Sequence, residues 1–334
     1  MSTVETNEDA GARSIDALES PALIVGCGRS GTTWLQALVA QHSAVASSPE
    51  TEVFAAYLSL LEKRWHRDAV RQLTHGVRIG LHQILSPDEF YQAMRPLAYA
   101  VLANVLRRKP GATVVLEKTP HNVLYVPLIL KLFPKARFIH LIRDPRAVVA
   151  SLRAAAAGWG SYWAESGALA GATRWRGHVS AGLAIPEATD NYFELRYEEL
   201  QADGVHQLQR LFDWLKLEVD LDKCRQYIEA SQIERLRDST DTQSVSPTVK
   251  TEEFFRSGTS AGWHDELSRV DVAAIEYVAK DLMLKLGYEM ASSTGWRNRL
   301  IAHPLASCLA GVRVSITTLN RGVSVASRWL AKRL

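Results

Sequence analysis

The sequence is poor in the features that would commit it to several large protein classes. Its 334 residues include three cysteines, Cys27, Cys224 and Cys308. They are odd in number, far apart and without a CxxC pair, which excludes a disulfide frame and reads as free thiols in a reducing interior. The ten histidines show no HExxH or similar ligand spacing, so no metal site is expected. No run of about 18 uncharged apolar residues occurs, so no spanning helix is expected. The first residues carry Glu5, Glu8, Asp9, Asp16 and Glu19 around no apolar core, which excludes a signal peptide and reads residues 1–20 as a flexible leader. The resulting expectation is a cytoplasmic protein. Internal repeats and low-complexity tracts are absent too.

Charge of one sign is scarce overall, the net being +3. It is unevenly spread, because residues 291–334 hold seven basic residues and no acid. Residues 1–290 therefore hold 32 basic and 36 acidic side chains, a net of −4. A mildly acidic body does not suit a polyanion, and no nucleic-acid partner is expected. In the tail, Leu305, Leu309, Val312, Ile316, Leu319, Val323, Ala326 and Leu330 recur in alternating steps of four and three. That stripe predicts a basic amphipathic helix over 304–333. It reads as packing on its own domain, as dimerisation, or as contact with an anionic membrane surface, which would make the protein peripheral at the inner face of a membrane.

What is present is ordinary globular composition, 47% hydrophobic and 22% charged. Short apolar runs at Pro21–Gly26, Thr113–Glu117, Ala136–Ile142 and Asn191–Arg196 predict strands. Helical stretches separate them: one after Gly31, one opened by Ser86-Pro87-Asp88-Glu89, then 122–133, 145–157, 204–217 and a long one over 269–286. Residues 237–262 read as loop. Apolar strands alternating with helices indicate an α/β fold, a parallel β-sheet flanked by helices, with ligands at the carboxyl ends of the strands.

The glycine-rich segment after the first strand admits more than one reading. Gly26-Cys-Gly28-Arg-Ser-Gly31 matches the dinucleotide pattern GxGxxG, and Glu50 and Glu52 stand about 20 residues on, where a ribose-binding acid belongs. Against it, 43–49 is a poor strand that ends in Pro49. The same residues read Gly26-x4-Gly31-Thr32-Thr33, close to the triphosphate loop GxxxxGK[ST], with Thr32 in place of its lysine and Arg29 supplying a cation earlier. Backbone N–H groups, hydroxyls and a helix N-terminus still make a phosphate cradle. A tight turn without a ligand would not explain a donor at nearly every step of Arg-Ser-Gly-Thr-Thr.

A second anion motif follows the third predicted strand. Phe138 through Arg143-Asp144-Pro145 to Ser151 is a buried strand ending in arginine, then a capped helix carrying a serine two turns along. Arg143 and Ser151 thereby come to one side and are able to hold one anion together. Taken with the glycine loop, this resembles the sulfotransferase family that uses 3′-phosphoadenosine 5′-phosphosulfate (PAPS). Leu116-Glu-Lys118-Thr-Pro, Leu195-Arg-Tyr197-Glu-Glu-Leu200 and Arg256-Ser-Gly258…Gly262-Trp263 match it as well, in family order. Arginine at position 29 places the chain nearer the tyrosylprotein and bacterial branches than the cytosolic ones, where lysine is common.

The resemblance covers residues 21–290 and implies a P-loop-type sulfotransferase domain there, followed by the extension at 291–334. It implies that PAPS is the donor, that no metal is required, and that a hydroxyl or, second, an amine is the acceptor. Gly28, Arg29, Ser30, Gly31, Thr32 and Thr33 would hold the 5′-phosphosulfate, Trp34 would stack on adenine, and Tyr197 belongs to the same donor site. Arg143, Ser151, Arg256 and Gly258 would hold the 3′-phosphate, and Lys118 would sit over the transferring sulfonate. Glu50 and His121 both fall where branches of the family place a base, Glu50 being favoured. The acceptor itself is not legible: a small molecule, carbohydrate, lipid or peptide would meet segments 52–108 and 158–186. The second carries Trp159, Tyr162, Trp163, Trp175 and Arg176, which read first as core and second as an acceptor wall. A P-loop kinase is the main rival, ahead of a nicotinamide-dependent oxidoreductase or a non-catalytic interaction protein.

Overall fold

The four apolar runs become β1 (Ala22–Gly26), β3 (Val114–Lys118), β4 (Arg137–Ile142) and β5 (Tyr192–Arg196). The computed structural model describes residues 15–76, 78–231 and 262–291. Arg256, Gly258 and the predicted helix at 304–333 lie outside the described residues, as does most of the loop predicted at 237–262. Small, polar residues and Pro49 argue against a strand at 43–49, yet β2 (Val45–Ser47) forms there and pairs in parallel with Val114–Leu116. Edge pairing overrides the weak local propensity, and Pro49 falls beyond the last paired residue, where it removes no ladder bond.

The strands lie in the order β2-β3-β1-β4-β5 and every pair is parallel. This order settles the ambiguity of the glycine loop. A dinucleotide-binding sheet sets its second strand beside the first, whereas here β1 lies between β3 and β4. The loop after β1 thus opens at the centre of the sheet, over the ends of β3 and β4.

Both faces of the sheet are covered, as continuous apolar strands require. Alternate residues Leu23, Val25, Val115 and Phe138 pack against α3 (Pro87–Arg107) and α4 (Val126–Leu132). Ala22, Ile24, Leu116, Ile139 and Leu195 face α1 (Thr32–Ala40), α8 (Gly204–Trp214) and α9 (Leu221–Ala230). The start signal at Ser86 is a full capping box with Glu89, and Asp144 caps α5 (Pro145–Ala156) through the Arg146 N–H. The predicted helix at 122–133 is shorter, Pro120–Tyr125 being a 3-10 turn that leads into α4. Between β2 and α3 lie a π-helical turn, Val53–Leu58, and α2 (Ser59–His75).

A further layer comes from α6 (Ala168–Leu183), the short α10 (Trp263–Glu266) and α11 (Arg269–Lys285), while the short α7 (Tyr197–Ala202) packs with α1 and α8. Helix α6 lies in the segment expected to wall the acceptor. Of the two readings of Trp175, core holds: it is fully buried and packed with Val148, Leu152, Val179 and Met283. Arg146 ties this layer to the sheet. Its guanidinium donates to Asp144 (2.6 Å), Glu276 of α11 (2.8 Å) and the Glu289 carbonyl (3.0 Å), and lies 4.2 Å over the Trp263 ring. Removing one partner of a buried ion pair leaves the other charge stranded, at about 3–5 kcal/mol. Arg146→Met is therefore expected to lower unfolding free energy by about that much in denaturant titrations. A loss under about 1 kcal/mol would refute this role for the network.

Candidate active site

Strand β1 runs out at Gly26, and the chain must turn back sharply to enter α1. Arg29 (φ 70°) and Gly31 (φ 94°) adopt left-handed backbone. At Gly31 glycine is needed twice over, because a Cβ there would also lie 2.5 Å from the Tyr197 ring. Alternating backbone handedness turns successive N–H groups into one concavity, and the amino end of α1 adds partial positive charge. Ser30, Thr32 and Thr33 are buried in this turn, and Ser30 Oγ has no hydrogen-bond partner among the described residues. A hydroxyl in that position fits a phosphorylated ligand, whose oxygen would satisfy it.

Arg29, Arg143, Ser151 and Tyr197, scattered over 169 positions of sequence, meet beside this loop. Arg29 Nε donates to Ser151 Oγ (3.0 Å), and its guanidinium lies 5.4 Å from the Trp159 ring centre. Arg143 donates to the Arg29 carbonyl (3.3 Å) and stacks over the Tyr197 ring at 4.0 Å. Burial raises the Tyr197 pKa above the ordinary phenol value, opposed by Arg143, so the ring remains a neutral phenol. Trp34 meets Tyr197 edge-on at 5.5 Å and donates to the Ser231 carbonyl (3.0 Å). Trp175 Nε1 holds the Arg143 carbonyl (2.8 Å) from below. Cys27 shares the loop, but burial pushes its thiol up to about 12, which suits packing and not nucleophilic attack.

Lys118 reaches the same place from the carboxyl end of β3. Its side chain is 2% exposed, and Nζ donates to Glu50 Oε1 (2.6 Å) and Thr33 Oγ1 (3.2 Å). The cation absent from position 32 is thus supplied by the neighbouring strand. Beside it Glu117 is fully buried, and its carboxylate accepts from Thr51 Oγ1 (2.9 Å), Thr119 Oγ1 (2.6 Å) and Asn122 Nδ2 (2.8 Å). Burial still raises its pKa. The Thr51 contact ties the Glu50 loop to β3. His121 is placed differently, with Nε2 2.9 Å from Glu52 Oε2. The hydrogen bond to Glu52 raises the His121 pKa above the usual histidine value, favouring imidazolium.

The structure therefore gathers Gly28, Arg29, Ser30, Gly31, Thr32, Thr33, Trp34, Arg143, Ser151 and Tyr197 around one loop, with Lys118 and Glu50 on its β3 side. It pairs His121 with Glu52 instead of with Lys118. Glu117, Thr51, Thr119 and Asn122 were not foreseen. The available signal was a glutamate inside the otherwise apolar run Val114-Val-Leu-Glu117. Trp159, read from the sequence as core or acceptor wall, borders Arg29. Among the described residues no group of histidine, cysteine and acid side chains is gathered that could hold a metal ion.

This geometry defines an α/β protein with a P-loop-type anion cradle and a lysine–carboxylate pair at its edge. A model of the sulfotransferase family matches residues 21–221, and the chain belongs to that family. It is 25% identical over 280 residues to a Caenorhabditis briggsae protein named as a candidate protein-tyrosine sulfotransferase, covering 82% of this chain and 91% of that one. It is 27% identical over 153 residues to human protein-tyrosine sulfotransferase 1, covering 45% of this chain. It spans 39% of the length of that human relative and 31% of an uncharacterized protein of Aquifex aeolicus. Among solved structures the fold is shared with mouse sulfotransferase SULT7A1 complexed with PAP, with TM-score 0.53, 14% identity, and 91% and 96% of the two chains covered.

Two outcomes follow from this geometry. Glu117→Ala releases the loop that carries Glu50, and a misplacement of about 1 Å can cost about a hundredfold in rate. Turnover per folded molecule should fall by that order with donor affinity retained; unchanged turnover would exclude a positioning role. In Glu52→Gln the His121 pKa should move down toward the ordinary histidine value by NMR titration, because the partner that raises it is neutral. An unmoved titration would show that the pair does not form in solution.

Proposed function

We propose that the protein transfers a sulfuryl group from PAPS to an acceptor hydroxyl, with Glu50 as general base and Lys118 as the cation beside the transferring group. The observation that carries this is the buried Lys118 ammonium, which joins Glu50 to Thr33 of the phosphate cradle. Bound in that cradle, PAPS supplies a sulfuryl group whose transfer leaves 3′-phosphoadenosine 5′-phosphate (PAP).

In-line transfer asks mainly for positioning and for cations at the oxygens that gain charge. Arg29 stands over the loop where a leaving 5′-phosphate would develop its charge. Arg143, supported by Trp175, and Ser151 would grip a 3′-phosphate, each being in contact with Arg29. The Lys118 cation beside the transferring sulfonate is a contact of oxyanion type, worth about 3 kcal/mol, roughly a hundredfold in rate. Glu50 takes the hydroxyl proton as the acceptor oxygen bonds to sulfur. Its side chain is partly exposed, so an acceptor can reach it. His121, held toward imidazolium by Glu52, is the poorer proton acceptor. Relatives named as protein-tyrosine sulfotransferases put a tyrosyl peptide at the head of an acceptor panel, with phenols, sugars and lipids beside it. Because the cradle carries its own cations, donor binding needs no metal ion.

PAP at a hundred times its dissociation constant should raise the melting free energy by about 2.7 kcal/mol without magnesium. A shift by ATP with magnesium alone would favour a kinase. Glu50→Gln should retain that PAP-dependent shift while losing about a hundredfold or more in turnover of labelled donor. If the variant keeps roughly half of the activity or more, Glu50 is not the base.

A further inference from the structure

We propose that the outward face of α2, with the turn that follows it, docks on an anionic lipid surface. Helix α2 sorts its charges by side. Its carboxylates are turned inward: Glu62 accepts from Tyr91 (2.8 Å), and Asp68 is buried and accepts from Arg64 Nε (2.7 Å). The exposed side carries Lys63, Arg64, Arg67 and Arg71, and Arg78 follows in the turn, all exposed. Lys63, Arg67 and Arg78 have no ion pair among the described residues. On the 100° helical wheel Leu60, Lys63, Arg67, Val70, Arg71 and Thr74 share one arc.

Apolar side chains on that same arc are left in water: Leu60 is 61% exposed and Val70 37%. The segment that follows the turn folds back on α2. His82 meets Trp65 edge-on at 6.1 Å, and Gly80 comes so close to Asp68 that a Cβ would lie 2.8 Å from Oδ2. That segment therefore lies on the Trp65–Asp68 side of the helix, off the arc of Lys63 and Arg67. A soluble acidic polypeptide would use the charges alone, whereas exposed leucine and valine among basic residues suit the headgroup–acyl boundary, where both contribute. Residues 1–290 as a whole are net negative, so the basic face is what an anionic membrane would orient. Through the π-helical turn it is continuous with the Glu50 loop.

Sedimentation of the full chain with vesicles tests this without turnover, so it stands or falls separately from sulfuryl transfer. Vesicles of phosphatidylcholine mixed with an equal part of phosphatidylglycerol should pellet the protein, and phosphatidylcholine alone should not. The double variants Lys63→Glu/Arg67→Glu and Leu60→Gln/Val70→Gln should each lower the bound fraction on the order of tenfold with melting temperature unchanged. Equal binding to both vesicle types would overturn the proposal. So would binding that both double variants retain, which would assign it to another segment such as the basic tail. Capture by polyglutamate without vesicle binding would overturn it in favour of an acidic polypeptide.

Discussion

A lysine ammonium buried at the end of a central strand has to be met by polar partners, because stranding it would cost several kcal/mol. Lys118 meets this demand with Glu50 on one side and Thr33 on the other. The requirement draws the segment after β2 over the mouth of the glycine loop. The neighbouring Glu117 grips the same segment through Thr51. Two successive residues of one strand thus hold one loop at two points, and the Glu50 segment is positioned from β3 while the glycine loop is positioned from β1.

The arginines after β4 divide their labour in a comparable way. Arg143 turns toward the glycine loop, bonding the Arg29 carbonyl and covering the Tyr197 ring. Arg146, three residues on, is engaged by Asp144 and Glu276 and serves the packing of α11. Charge is placed one side chain at a time here, which is why the overall balance of +3 carries no information about the ligand. The same holds for acids, since Glu198 accepts from the Asp144 N–H (2.8 Å) and braces the turn that presents Arg143.

Much of the framework was legible from the chain alone. The apolar runs gave four strands at their observed places, because a parallel strand buried on both faces needs continuous hydrophobicity. Strand β2 and helix α6 escaped, since the pairing of Val45–Ser47 and the burial of Trp175 and Val179 are decided by tertiary partners. The meeting of Arg29 with Arg143, Ser151 and Tyr197 followed from motifs at the carboxyl ends of adjacent strands, where α/β sheets bind ligands. The glycine pattern was ambiguous by itself, and strand order resolved it. The network around Glu117 was illegible for a different reason: its partners Thr51, Thr119 and Asn122 are ordinary loop residues whose role exists only once the segment after β2 is folded over β3.

Arg29 shows where the demands of backbone and side chain collide. A left-handed backbone at a non-glycine residue costs about 1 kcal/mol or more, and glycine at position 29 would remove that cost. Glycine would also remove the guanidinium that reaches Ser151 and the Trp159 ring. The strain is offset by these side-chain contacts, which glycine could not make. Lys118 covers the far side, toward Thr33, while Arg29 covers the side toward Ser151. One cation comes from the loop after β1 and the other from the end of the neighbouring β3, so the two meet the glycine loop from different sides.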